Sequence, residues 1–415
     1  MKRRTGILFF VLLVAAACSK QEATQKAQKV AQKVQDAFDV SAPMGKPEPP
    51  DAAQQRERER FDQQWRALQS FRAQQAAAQQ RAAQAAAAAA QPQINFVTGK
   101  KETFKGLDVN TINAAAVNIP VTGDVSGPSV LRAQVYLDRA HFSVGVIDGR
   151  WGRNSAIAVW LWQRSHGMEP TGDVDEVTFR SLAAAAEGAQ PVVGYQVTAD
   201  DVKGPFVTIP DDVYEKEHLS CMCYQSLREK LAERFHAAED FLELLNPDVQ
   251  FAQLEAGATI NVPNVRAPMT ADQKDIAKVV ISIAGNSFNA YDAGGNLLLH
   301  APSTLGAGYD PSPDETLHVV KVIPDPHFHY DPTLYHEVPD SMPDAHLKPG
   351  PNSPVGVVWI ALSKEHYGVH GTNDPDAIGY ASSHGCVRLT NWDAAEVGHR
   401  ISEGVSVAFI DQSRK

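Results

Sequence analysis

The sequence predicts a multidomain α+β protein: a low-complexity N-terminal stretch, a small three-helix unit, a compact α/β module and a mainly β C-terminal third. Three observations lead there. The chain has 415 residues, more than one ordinary domain holds. Over residues 129–186, and again over 227–245, apolar residues recur at helical spacing. From about Val279 onward they gather in short runs parted by Pro and Gly clusters, the pattern of strands.

Hydrophobic residues make up 43% of the chain, enough for several cores. Lys and Arg number 38 against 49 Asp and Glu, a formal net charge of −11, and no polybasic run follows the first few residues. Nucleic acid is thereby excluded as a partner, because no basic face is available to neutralise phosphates.

Residues 1–18 predict export. Lys2, Arg3 and Arg4 precede an apolar run over 7–14 that is too short to span a bilayer, and small Ala15, Ala16 and Ala17 lead to Cys18. This resembles a bacterial lipoprotein signal, which implies that the Cys18 thiol carries lipid and anchors the mature chain to a membrane. Ordinary secretory cleavage near the same point is the alternative. Ser19 implies the periplasmic face of the outer membrane in a Gram-negative cell, and otherwise the cell envelope.

Residues 19–128 are expected to be a low-complexity stalk and linker. Ala23, Ala27, Val30, Val34 and Ala37 alternate at spacings of four and three until Pro43, Pro47, Pro49 and Pro50 intervene. Residues 51–91, rich in Ala, Gln, Arg and Glu, carry Phe61, Trp65 and Leu68 on one stripe. As a helix they would reach roughly 60 Å, a spacer or an oligomerisation element; a disordered linker is the other reading. Residues 92–128 read as linker.

In the three-helix unit, 129–186, Leu131 and Val135 share one helix face, and Asp148-Gly149 marks a turn. Ile157, Trp160 and Leu161 form a second face, and Asp173 or Asp175 can cap a third helix carrying Val177 and Leu182. With Asp148-Gly149-Arg150-Trp151-Gly152, then Trp162-Gln163, then Thr171-Gly172, the unit resembles the peptidoglycan-binding domain of wall hydrolases. The resemblance implies peptidoglycan as a partner; Trp160 and Trp162 can also be core. In the module 192–265, Leu227, Leu231, Phe235 and the run 242–245 predict two helices, and 258–262 a strand. Residues 231–265 resemble the second half of a LysM module, without its usual opening, which implies glycan binding. Cys221 and Cys223 precede those helices; packing or a local disulfide suits them better than a metal, for which ligands are lacking.

The C-terminal region, 276–411, carries predicted strands at 279–283, 297–300, 357–362 and 405–410. It also carries Gly368-Val369-His370-Gly371-Thr372 and Ser382-Ser383-His384-Gly385-Cys386-Val387-Arg388-Leu389. With lipid on Cys18 and Cys221 set beside Cys223, Cys386 is the cysteine left over in an exported protein. Acyl transfer from an amide needs a nucleophile, a base and oxyanion donors. Cys386 supplies sulfur, His370 can take its proton, and a tight turn at Gly385 can present the Gly385 and Cys386 N–H groups. Together with Lys348-Pro349-Gly350-Pro351-Asn352-Ser353-Pro354-Val355-Gly356, these residues resemble the catalytic domain of L,D-transpeptidases, the YkuD family.

That resemblance implies a cysteine acyltransferase with a stem-tetrapeptide donor, an amine acceptor and no cofactor. It also implies that a backbone carbonyl orients His370 and that His384 binds the donor or positions the oxyanion. Ser383, Arg388, Gly371 and Thr372 are expected to support the oxyanion or the substrate. Hydrolysis of the same bond, by a carboxypeptidase or amidase, is one alternative, and a non-catalytic membrane-to-wall anchor is another. The tract His327, His329, Asp331 and His336 suggests metal ligands, but the resemblance implies that its Tyr-Asp-Pro segment is a lid or substrate wall over the cleft, with a metal site the lesser alternative.

Overall fold

The structure, a computed structural model, describes residues 94–306, 312–313, 315–335 and 338–410. The export signal, Cys18, the stripe of 51–91 and His336 lie outside them. In chain order the first unit holds β1 (Phe96–Val97), α1 (Val109–Ala114), β2 (Val117–Asn118), α2 (Pro128–Arg139), α3 (Arg153–Ser165) and α4 (Glu176–Ala185). Pro128 suits the first turn of α2, where no N–H partner is needed. Asp175 caps α4, accepting from Thr178 N at 2.7 Å. Leu131, Val135 and Leu137 of α2, Val159 of α3, and Phe179 and Leu182 of α4 are fully buried in one core.

Residues 94–128, expected as linker, are folded onto this unit. β1 and β2 pair in parallel, and Ile112, Val117 and Val121 are buried in the core. Their apolar residues fall in elements of two to six residues, too short to show a period. Trp162 proves to be core: it is 3% exposed and packs edge-on against Phe142 at 5.1 Å.

The second unit holds β3 (Val192–Gln196), α5 (Ala199–Val202), α6 (Val213–Glu217), α7 (Leu227–Arg234), α8 (Glu239–Leu244) and β4 (Thr259–Pro263). β3 and β4 pair antiparallel with Tyr195 opposite Ile260. Ser226 caps α7 through Glu229 N at 3.0 Å. Leu231, Leu242, Ile260 and Val262 form its core. Phe241 of α8 and Leu245 just beyond it pack into the first unit's core, so the two units share a helix. Cys221 and Cys223 are joined by a disulfide. Met222 between them is buried with Ala345 and Leu347 of the C-terminal region.

That region holds β5 (Ile276–Ser282), β6 (Ser287–Tyr291), β7 (Leu297–Pro302), β8 (Leu305–Gly306), β9 (Thr316–Pro324), β10 (Phe328–Tyr330), β11 (Ala345–Leu347) and β12 (Val358–Leu362). β13 (Gly368–His370), β14 (Ser382–Ser383), β15 (Val387–Arg388), α9 (Asn391–Arg400) and β16 (Ile401–Ile410) follow. Among the described residues its main sheet has the order β15-β13-β12-β9-β16-β5-β6-β7. The β16–β5 and β13–β15 pairs are parallel. Alternate residues Val279 and Ile281 of β5, and Ile360 of β12, are fully buried, as a sheet covered on one face requires. Ala394 and Val397 of α9 join that core. β10 and β11 make a separate hairpin.

Where the units meet, Arg266 is buried among acids. It donates to Asp138 of α2 and to Asp393 and Glu396 of α9.

Candidate active site

β13 and β15 run side by side, with Val369 opposite Val387 and His370 opposite Arg388. Cys386 directly precedes β15, so its thiol and His370 come from neighbouring strand ends. Among the described residues Cys386 is the free cysteine, and it is half-buried. Its Sγ donates to the His366 carbonyl at 3.4 Å.

His370 is 4% exposed and stacks on Trp359, the residue paired with it across β12, at 5.2 Å. Its Nδ1 lies 2.7 Å from the Gly371 carbonyl oxygen. A carbonyl can only accept, so Nδ1 carries the hydrogen and Nε2 is left as the basic nitrogen. Burial, and then the Arg388 charge, push the imidazole down to about 3, so it is a neutral base at physiological pH. The carbonyl orientation expected from the resemblance is what the backbone provides.

The turn that carries Cys386 is pinned by two hydroxyls. Ser383 Oγ donates to the Cys386 carbonyl at 2.6 Å, and Ser312 Oγ to the Gly385 carbonyl at 3.1 Å. Since C=O and N–H of a trans peptide point opposite ways, tying back the Gly385 carbonyl turns the Cys386 N–H away from Ser312. Gly385 itself has φ of +106°, and a Cβ there would sit 2.9 Å from the Tyr367 ring. Both facts demand glycine. His384 meets the ring of Tyr335 edge-on at 5.0 Å, and Tyr335 stacks on Tyr330 of the β10–β11 hairpin. His329 pairs with Asp344 at 3.0 Å and stacks on His346. Among the described residues no three His, Cys, Asp or Glu side chains stand together as a metal site.

Arg388 Nε is buried and has no hydrogen-bond acceptor among the described residues. Gly371 and Thr372, expected to support the oxyanion or the substrate, face Asn391. Thr372 N–H donates to Asn391 Oδ1 at 3.1 Å, and a Cβ on Gly371 would stand 2.1 Å from that oxygen. Sequence reasoning passed over Asn391 and Ser312. Asn391 sits directly behind Thr390, an N-cap signal in the sequence, but nothing local shows that its amide turns toward residue 372.

With this geometry the comparisons fall into place. The family described as the L,D-transpeptidase catalytic domain, YkuD, matches residues 277–409. Residues 277–409 are a YkuD-type L,D-transpeptidase domain. The putative peptidoglycan binding domain family matches residues 126–182, the helical unit. The putative L,D-transpeptidase YkuD of Bacillus licheniformis is 28% identical over 181 residues, 44% of this chain and 92% of that protein. The probable L,D-transpeptidase YbiS of Escherichia coli is 29% identical over 177 residues, 41% of this chain and 55% of that protein. This chain therefore spans little more than half of YbiS. The solved L,D-transpeptidase from Mycobacterium smegmatis aligns with a TM-score of 0.28 at 20% identity, covering 37% of this chain and 63% of that one. In this domain the expected site residues lie on or beside the β13 and β15 strand ends.

Proposed function

We propose that this protein is a cysteine L,D-transpeptidase acting on peptidoglycan stem peptides. The observation that carries the reading is the His370–Gly371 hydrogen bond, which leaves Nε2 basic on a strand paired with the one that Cys386 precedes. His370 takes the Cys386 proton as sulfur attacks the carbonyl of the third stem residue. The carbon–nitrogen bond breaks, the proton passes to the departing terminal D-Ala, and a thioester remains. The amine of another stem, or of a protein, then attacks; His370 takes its proton and returns it to sulfur, and an amide forms. The Cys386 N–H serves the developing oxyanion. Arg388, a half-buried cation whose Nε has no acceptor among the described residues, is suited to the substrate carboxylate.

The helical unit and the 192–265 module are proposed to hold wall peptidoglycan and glycan, and lipid on Cys18 to hold the chain at the periplasmic face of an outer membrane. Such tethers raise substrate concentration at the site without touching the transition state. The test is incubation of purified muropeptides with wild type and Cys386→Ala. Cross-linked dimers from wild type alone are expected. Trimmed stems without dimers would mean hydrolysis, and dimers from Cys386→Ala would remove the cysteine from the mechanism.

A further inference from the structure

Asn391, the first residue of α9, is 2% exposed and uses its whole amide. Oδ1 accepts from Thr372 N at 3.1 Å and Val357 N at 3.3 Å, while Nδ2 donates to Glu233 Oε2 at 2.9 Å and the Pro351 carbonyl at 3.1 Å. Two glycines make this approach feasible: a Cβ on Gly356 would stand 2.0 Å, and on Gly371 2.1 Å, from Oδ1. The Thr372 N–H and the Gly371 C=O belong to one peptide plane. Asn391 holds one end of that plane and His370 Nδ1–H binds the other. Glu233 comes from α7, outside the L,D-transpeptidase domain, and its other oxygen accepts from Tyr224 OH at 2.8 Å.

We propose that Asn391 is a positioning residue for His370, and that Glu233 of the neighbouring module holds Asn391 in place. The chain of contacts runs from Tyr224 through Glu233, Asn391 and the 371–372 peptide to the imidazole. Each bond polarises the next, and the rigid peptide plane passes orientation on. Docking of α7 then completes the active site, so the wall-facing module sets the alignment of the base as well as the location of the enzyme. This rests on the reading of His370 as the base.

The test uses the full chain with ¹⁵N-labelled histidine, following the His370 ring signals, assigned by their loss in His370→Gln, together with the rate of Cys386 acylation by a carbapenem. Wild type should show the Nδ1–H tautomer. Glu233→Gln should keep it, since the amide oxygen still accepts from Asn391 and its NH₂ can donate to the Tyr224 oxygen. Glu233→Leu should give a mixed or exchanging ring signal and acylation slower by about tenfold or more. Asn391→Asp, close in shape, sets a second carboxylate against Glu233. It should behave alike at pH 8, and adding Glu233→Gln should restore part of the loss by supplying a donor. A role confined to stability would lower the melting temperature of these variants and leave the ring signal unchanged below it. An unchanged His370 tautomer in both Glu233→Leu and Asn391→Asp overturns the proposal. Absence of acylation in wild type, with the ring signal still responding, would instead overturn the transpeptidase reading and leave the positioning network standing.

Discussion

Arg266 Nε donates to Glu396 Oε2 at 2.7 Å, with both side chains no more than 7% exposed. The same guanidinium reaches Asp393 at 2.5 Å and also Asp138. Three structural units therefore close on one buried cation. His236 Nδ1 adds a contact to Asp138 at 2.8 Å, and Arg400 pairs with Glu396 at 2.9 Å. Burial works against the charges of Asp138 and Glu396, yet Arg266 and the neighbouring histidines outweigh it and hold both below the usual carboxylate range. At Asp393 burial wins and the carboxyl is raised.

Removing one partner of such a cluster strands the others. Arg266→Met is expected to cost about 3–5 kcal/mol, because three acids lose their cation inside the protein. Urea denaturation of the full chain checks this. A loss under about 1 kcal/mol would mean that water reaches the acids.

Glu233 gives stability a pH dependence of opposite sign to an ordinary salt bridge. Burial raises its carboxyl to about 7, against the hydrogen bonds from Asn391 and Tyr224. Between pH 4.5 and 7 the folded chain keeps a proton that the unfolded chain releases, so this contribution falls as pH rises through that window. Glu233→Gln should gain stability relative to wild type on going from pH 5 to pH 8. The gain should be roughly 1–2 kcal/mol, since the residue is partly exposed. Equal wild-type and variant slopes in melting against pH would remove the effect.

Burial and the Arg388 charge depress His370 to about 3, so the imidazole is neutral rather than a resting cation. Alkylation of Cys386 by iodoacetamide should therefore be slow at pH 5 and faster at pH 8, since a neutral imidazole offers no charge to hold a thiolate. A plateau from pH 5 would reveal an ion pair. His370→Ala should slow carbapenem acylation by about 10²–10⁴-fold, with the adduct in wild type mapping to the peptide that holds Cys386.

Gly385→Ala places a methyl group against Tyr367 in a backbone conformation that L-residues avoid. A loss of about 1–3 kcal/mol in stability is expected, together with acylation slower by about tenfold or more, since the turn aims Cys386. Intact-mass kinetics and thermal melting read the two effects separately, and wild-type acylation in the variant would show that the turn tolerates the change.

Cys18→Ala should move the protein from the membrane fraction to the soluble fraction with muropeptide activity retained, because a lipid anchors and does no chemistry. Membrane association that persists after wall digestion would point to another anchor.

The YkuD-type domain was legible in the sequence because its motifs are short and contiguous. Ser383, His384, Gly385, Cys386, Val387 and Arg388 occupy one turn and strand, and His370 with Gly371 another, so the local chain dictates their backbone. Most of the larger helices and strands were legible too, since burial of one face imposes a period, but the nine-residue strand β9 was not. Residues 94–128 were not, because β1, α1 and β2 are too short to display one and are stabilised by packing on α2. Nor was Asn391: its partners lie at 233, 351, 357 and 372, and only folding brings a carboxylate from α7 to a peptide beside His370. The Arg266 cluster is likewise a matter of tertiary structure alone. Charges more than a hundred residues apart in sequence carry no pattern until desolvation forces each to find its partner.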